Sequence, residues 1–330
     1  MRRRVALSLS ADTTPIIFGC TGTALDADEI AFFRDAKPAG FILFQKNCAD
    51  PQQVTALCAA LRDTVGWDAP ILIDQEGGRV QRLKPPSWPG DFPAMRPFGQ
   101  VFRQNENAAL GVVENNYARL ADAQVPLGID VNCVPVLDVV PEENKVRAID
   151  DRSFGSDPDA VAALGIAAVK ASIKAGMTPV MKHMPGHGRA VVDSHYELPH
   201  VHEGRDILER DWQPFKAVAA AVNNDDVWGM SAHVIYPALD PDLPATLSPA
   251  IITGIMRAAI GFDGLLLSDD LFMNALEKYG DVPARSRLCI EAGLDIALHC
   301  HGTVEERARA VEAVGTIRPE TLRRLMDWVK

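Results

Sequence analysis

Eight short apolar runs, each followed by a stretch long enough for a crossover helix, constrain this chain more than any other feature. The candidate strands are Pro15 to Phe18, Gly40 to Phe44, Ile71 to Asp74, Asp130 to Leu137, Thr178 to Lys182, Val227 to His233, Gly264 to Ser268 and Ile296 to His299. They are apolar without strict alternation, the pattern of strands covered on both faces, and the intervening lengths suit parallel pairing through helices. In Gln53 to Val65, for example, Val54, Leu57, Leu61 and Val65 recur at helical spacing. Asp50-Pro51, Asp157-Pro158 and Ser248-Pro249 each place a capping side chain before a proline at the first helical position, and Gly176 and Gly261 stand where two of those helices end. Eight such units predict an α/β fold with one closed (β/α)8 TIM-type barrel. An open doubly wound sheet is the rival, but Gly19-Cys20-Thr21-Gly22-Thr23 only loosely imitates a phosphate-binding turn, so Gly19 and Gly22 read as turn residues. The proline-rich stretch from Pro85 to Pro97 reads as a long loop over one face of the barrel.

Composition narrows the function classes. Thirty-three Lys and Arg against 44 Asp and Glu give a net charge of −11, with no basic block beyond Arg2 to Arg4, which argues against nucleic acid and anionic membranes as partners. The most apolar stretch, near Ala160 to Ala175, is broken by Lys170 and Lys174 and is too polar to span a bilayer. The apolar run from Val5 is short and interrupted by Ser8 and Ser10, so the basic start falls short of an export signal. Cys20, Cys48, Cys58, Cys133, Cys289 and Cys300 are widely spaced, form no C-x-x-C pair, and read as reduced core thiols of a cytoplasmic protein.

Chemistry collects at the strand ends. Asp74, Asp138, Lys182 with His183, His233, Asp269 with Asp270, and His299 terminate six of the eight runs. In a parallel barrel these ends meet on one face, where barrel enzymes build their sites. A second concentration is KHMPGHGRAVVDSHYE, residues 182 to 197, where Gly186 and Gly188 flank His187 and Pro185 stops the strand, predicting a mobile loop. Asp193 lies two residues before His195, close enough to orient the imidazole for proton transfer. A solvated polar loop, or a metal site from His183, His187 and His195, are the competing readings; the spacings match no standard ligand pattern and Lys182 would repel a cation. A third segment, DQEGGRVQR from Asp74 to Arg82, has forked polar side chains that could grip hydroxyl or carboxylate groups, or could pair among themselves.

Taken together, GFILFQKN (40–47), DQEGGRVQRL (74–83), LGIDVNCVPVLDV (127–139), DRSFG (151–155), KHMPGHG with DSH (182–195), SAHVIYPALD (231–240) and GFDGLLLSDDL (261–271) make the chain resemble glycoside hydrolase family 3. Within that family it is similar to the single-domain bacterial β-N-acetylhexosaminidases of cytoplasmic peptidoglycan recycling. The resemblance implies one barrel domain over residues 1–330, a monomer, a small carbohydrate substrate containing N-acetylglucosamine, and neither metal nor cofactor. It places the nucleophile on Asp269, the acid/base on His195 assisted by Asp193, and the sugar-binding groups on Asp74, Arg82, Arg152, Lys182 and His183. The reaction it implies is retaining exo-hydrolysis through a covalent glycosyl-aspartate, releasing N-acetylglucosamine from muropeptides. The alternatives are a phosphorylase on the same fold, a metal-dependent hydrolase using the histidine loop, and a sugar-binding barrel without activity. The segment from Pro85 to Met95 is longer and richer in proline than the resemblance leads one to expect.

Overall fold

The computed structural model describes residues 9–88, 90, 92–142 and 149–329. Arg2 to Arg4, Val5 and Ser8 of the N-terminal reading, and Pro89 and Asp91 of the proline-rich loop, lie outside the described residues. Eight parallel strands form the centre: β1 (Thr14–Gly19), β2 (Pro38–Leu43), β3 (Ile71–Ile73), β4 (Val131–Asn132), β5 (Thr178–Met184), β6 (Trp228–Ser231), β7 (Leu266–Leu267) and β8 (Ala297–His299). Their spatial order is β7-β6-β5-β4-β3-β2-β1-β8. The ring closes where Leu267 bridges Ile296 in parallel and the Ser268 N–H donates to the Ile296 carbonyl at 3.0 Å. This is the predicted (β/α)8 barrel.

Every residue of these strands is buried, which accounts for the missing alternation: one face fills the barrel and the other lies beneath helices. The helix signals operate as predicted at Asp50, whose carboxylate accepts from the Gln53 N–H ahead of helix Pro51–Val65, and at Asp157 ahead of helix Pro158–Lys174. Ser248 also caps, its Oγ accepting from the Ile251 N–H at 3.1 Å. The coil that follows differs from expectation: residues Ile251–Ala259 wind as a π-helix, not an α-helix. Gly176 and Gly261 follow their helices with φ of 84° and 78°.

Two expectations shift. The run from Asp130 to Leu137 keeps strand pairing only at Val131–Asn132. Pro135 has no N–H to donate, and contact with β5 resumes through the Lys182 N–H to the Pro135 carbonyl and the Leu137 N–H to the Lys182 carbonyl. Gly19 is not a turn residue but the last residue of β1. A Cβ there would sit 2.2 Å from the Cys300 carbonyl oxygen, so the glycine lets the chain after β8 approach closely.

The loop after β3 folds back over the C-terminal end of the barrel, with Trp88 and Phe92 buried and the Gly78 N–H donating to the Phe92 carbonyl at 2.7 Å. All six cysteines are buried and unbridged. Among the described residues no helix is long and apolar enough to cross a membrane.

Candidate active site

Residues from the ends of β2, β3, β5, β6, β7 and β8, with the segments after β3, β4 and β5, enclose a cavity of about 250 Å³ at the C-terminal end of the barrel. Asp74, Arg82, Arg152, Lys182, His183, Asp193, His195 and Asp269 all line it, so the structure brings every predicted site residue to one place.

One wall is a buried ion network. Lys182, 3% exposed in its side chain, places Nζ 2.9 Å from Asp74 Oδ1 and 2.7 Å from Glu76 Oε1. Arg82 Nη2 donates to Asp74 Oδ2 at 3.1 Å, and Arg152 grips Glu76 bidentately, Nε and Nη2 each at 2.8 Å. Burial works against the charge of both acids, but the cations outweigh it: Lys182 and Arg82 hold Asp74 well below the usual carboxylate range, and Arg152 and Lys182 hold Glu76 down at about 2. Within DQEGGRVQR, Asp74 pairs with Arg82, whereas Glu76 pairs with Lys182 and Arg152 and Arg79 with Asp151, so most of the segment's charges are tied to other parts of the chain.

Glu76 is the site residue to which sequence reasoning gave no role. Counting would have found it, because the expected sugar-binding set held Arg82, Arg152 and Lys182 against Asp74 alone, and buried cations require partners.

Asp138 stands behind the wall with no exposure and fixes the histidines. Its Oδ2 lies 2.7 Å from His183 Nδ1, and its Oδ1 accepts from the backbone N–H groups of His183 and His187 at 3.2 and 2.7 Å. A carboxylate only accepts, so Nδ1 of His183 carries a proton and Nε2 faces Arg152 Nη2 at 3.4 Å as an acceptor.

Asp269 follows β7, half-buried, with Oδ1 accepting from the Asp270 N–H at 2.8 Å. Burial disfavours its charge, yet His183, His233, Lys182 and that N–H outweigh the penalty and keep the carboxyl below its ordinary range. Asp270 turns the other way: its Oδ1 accepts from the Phe272 N–H at 3.0 Å, and burial pushes its carboxyl up to about 6.

Opposite lies the loop after β5. Gly188 is required there, since a Cβ would sit 2.0 Å from the Val139 carbonyl oxygen. Asp193 Oδ1 receives both the His195 backbone N–H at 3.0 Å and His195 Nδ1 at 2.7 Å. This fixes the Nδ1–H tautomer and leaves Nε2 to exchange a proton. The His195 side chain is 64% exposed and Asp193 31%. His187 lines the cavity too, its Nε2 lying 3.3 Å from Ser194 Oγ, and burial together with His183 lowers its proton affinity to about 4.

The histidine loop does not assemble a ligand cage: His183 is held by Asp138, His187 by Ser194 and His195 by Asp193. Among the described residues no three His, Cys, Asp or Glu side chains converge in a metal-binding arrangement. Of the strand-end residues, Asp138, His233 and His299 lie outside the cavity lining. His299 is fully buried, edge-on to Phe18 and Phe272.

The geometry agrees with comparison to known proteins. The N-terminal domain of glycosyl hydrolase family 3 matches residues 20–329. A β-hexosaminidase of Stenotrophomonas maltophilia is 38% identical over 299 residues, covering 90% of this chain and 87% of that relative. Among solved structures, NagZ from Neisseria gonorrhoeae, in complex with N-trifluoroacetyl-D-glucosamine, superposes with a TM-score of 0.86 at 31% identity over 96% of this chain and 90% of its own. A family 3 β-N-acetylglucosaminidase from Paenibacillus sp. gives 0.87 at 30% identity, with this chain covering 61% of that longer enzyme. Matched by this family's domain over residues 20–329 and 38% identical to a β-hexosaminidase over 90% of its length, the chain belongs to glycoside hydrolase family 3.

Proposed function

We propose that the chain is a retaining, exo-acting β-N-acetylglucosaminidase that removes N-acetylglucosamine from the non-reducing end of cell-wall muropeptides. The observation that carries this is one cavity lined by a half-buried carboxylate held in its ionised form and by an imidazole oriented by its own carboxylate partner. Retaining hydrolysis needs a nucleophile at the anomeric carbon and a proton carrier at the leaving oxygen.

Asp269 attacks and forms a glycosyl-aspartate. His195, oriented by Asp193, protonates the leaving sugar and then takes a proton from the incoming water. An exposed loop position suits this second task, because water must reach the imidazole. Asp74, Arg82, Lys182, Arg152 and His183 hold the ring hydroxyls, and Glu76 keeps Lys182 and Arg152 in place. Positioning of this kind contributes several kcal/mol to barrier lowering, up to about 7–11 in well-oriented cases. The single barrel domain supplies all of these groups.

The test is hydrolysis of an aryl N-acetyl-β-glucosaminide, an aryl β-glucoside, and a disaccharide of N-acetylglucosamine on anhydro-N-acetylmuramic acid, each with and without phosphate. Expected are turnover of the first and third, little of the second, and free sugar as the product throughout. Sugar 1-phosphate would replace the hydrolase by a phosphorylase, and near-normal turnover in Asp269→Ala would refute the mechanism.

A further inference from the structure

The motif SAHVIYPALD includes a histidine that ends near the active site without entering the cavity. His233 follows β6, is fully buried, and bridges two neighbouring segments. Its Nε2 lies 3.0 Å from the Asp270 carbonyl oxygen and its Nδ1 lies 2.8 Å from Thr246 Oγ1. Thr246 is equally buried and lies 2.8 Å from Ser231 Oγ.

Hydrogen-bond chemistry gives this chain a direction. A carbonyl oxygen only accepts, so Nε2 carries the proton. Burial disfavours the imidazolium, so Nδ1 is an acceptor for the Thr246 hydroxyl, which shares its single proton between Nδ1 and the Ala232 carbonyl oxygen 3.0 Å away and accepts from Ser231. The end of this line is residue 270, whose own N–H donates to Asp269 Oδ1 at 2.8 Å. Other contacts steady the turn: the Phe272 and Met273 N–H groups donate to Asp270 from within it, and the Leu271 N–H donates to the Leu298 carbonyl. His233 acts on the residue adjoining the carboxylate and ties it to the neighbouring strand.

We propose that His233 is a positioning residue for the nucleophile: with Thr246 behind it, His233 pins the Asp270 backbone so that its N–H stays aimed at Asp269 Oδ1. The aim fixes the rotation of the Asp269 carboxylate and leaves Oδ2 for the anomeric carbon. This inference rests on Asp269 being the nucleophile. The covalent step it serves is simple in balance: an Asp269 oxygen pair forms the C1–O bond while the leaving group departs with the electrons of the bond it breaks.

The experiment uses a 5-fluoro glycosyl fluoride of N-acetylglucosamine, which needs no acid catalysis to leave and accumulates the glycosyl-aspartate. Two variants separate reach from polarity. His233→Gln carries an amide N–H to about where Nε2 stands, whereas His233→Asn can bond Thr246 but falls short of the Asp270 carbonyl. His233→Asn is expected to label Asp269 about 10- to 100-fold more slowly, the scale of a misplacement near 1 Å. Binding of N-acetylglucosamine and the melting temperature should stay near those of the unaltered protein, and His233→Gln should recover most of the rate. Thr246→Val provides an independent measurement should His233→Asn fold poorly, with labelling expected to slow by about 3- to 10-fold, the scale of one hydrogen bond. Labelling within twofold of normal in His233→Asn, or in Thr246→Val where the first variant does not fold, would overturn the inference. So would equal loss in His233→Gln and His233→Asn. If the unaltered protein were labelled at a residue other than Asp269, the nucleophile assignment itself would fall, and this inference with it.

Discussion

Replacing Glu76 by glutamine isolates what the buried ion network contributes. Glutamine has the shape of the protonated acid without its charge, so the substitution reproduces at pH 7 the state that acid would create. The carboxyl, nearly inaccessible at 2% side-chain exposure, is held at about 2 against an ordinary 4.5, chiefly because Arg152 and Lys182 overcome the cost of burying it. That difference corresponds to about 3 kcal/mol at neutral pH. Breaking one partner out of a buried pair costs about 3–5 kcal/mol, an independent route to the same scale. With an unfolding entropy of about 2.1 cal/mol/K per residue over 330 residues, a loss of about 3 kcal/mol lowers the melting temperature by about 4 °C.

The sign with pH follows from a depressed carboxyl. Its stabilisation is complete above about 4.5 and is lost as pH falls through about 2. The gap between Glu76→Gln and the unaltered protein should therefore shrink to less than half at pH 3. Thermal unfolding of both proteins at pH 7 and pH 3 measures it. A gap under 1 °C at pH 7, or one unchanged between the two pH values, would show that Glu76 does not stabilise the fold through its charge.

Two further outcomes concern the chemistry. His195→Ala should lose about 10²- to 10⁴-fold in kcat/KM on a disaccharide, the usual scale of acid–base catalysis, and far less on a dinitrophenyl glycoside whose leaving group needs no proton; equal losses on both would remove His195 from the acid role. Asp138→Asn replaces an acceptor by an amide that must donate towards His183 or the two backbone N–H groups, inverting the tautomer that faces Arg152. Hydrogen bonds to charged groups contribute about 1.5–3 kcal/mol, so kcat/KM should fall by about 10- to 100-fold, and a variant within twofold of normal would show that the His183 orientation has another source.

The sequence by itself determined the architecture and the cast. Eight apolar runs too uniform for an exposed sheet allow little but a parallel barrel covered by helices, and strand identity follows from burial on both faces, a property written in residue type. Asp50 and Asp157 marked their helices for a similarly local reason, since a cap needs only its own next turn. The Asp193–His195 pairing was legible too, because two residues of separation bring carboxylate and imidazole within reach whatever the rest of the chain does. Strand limits were less legible: Pro135 cut the fourth run short, and which carbonyls would cross to β5 depends on a neighbour 47 residues away in sequence. Only the tertiary structure decided how the strand-end residues divide. Asp74, Lys182, His183 and Asp269 face the cavity, Asp138 and His233 stand behind it as supports, and His299 packs between aromatic rings. Nothing in residue type separates these three fates, since each residue is a polar group at the end of an apolar run. The separation arises because closing the barrel fixes the angle at which each strand delivers its last side chain, and a buried charge is tolerated only where another strand supplies its counter-charge.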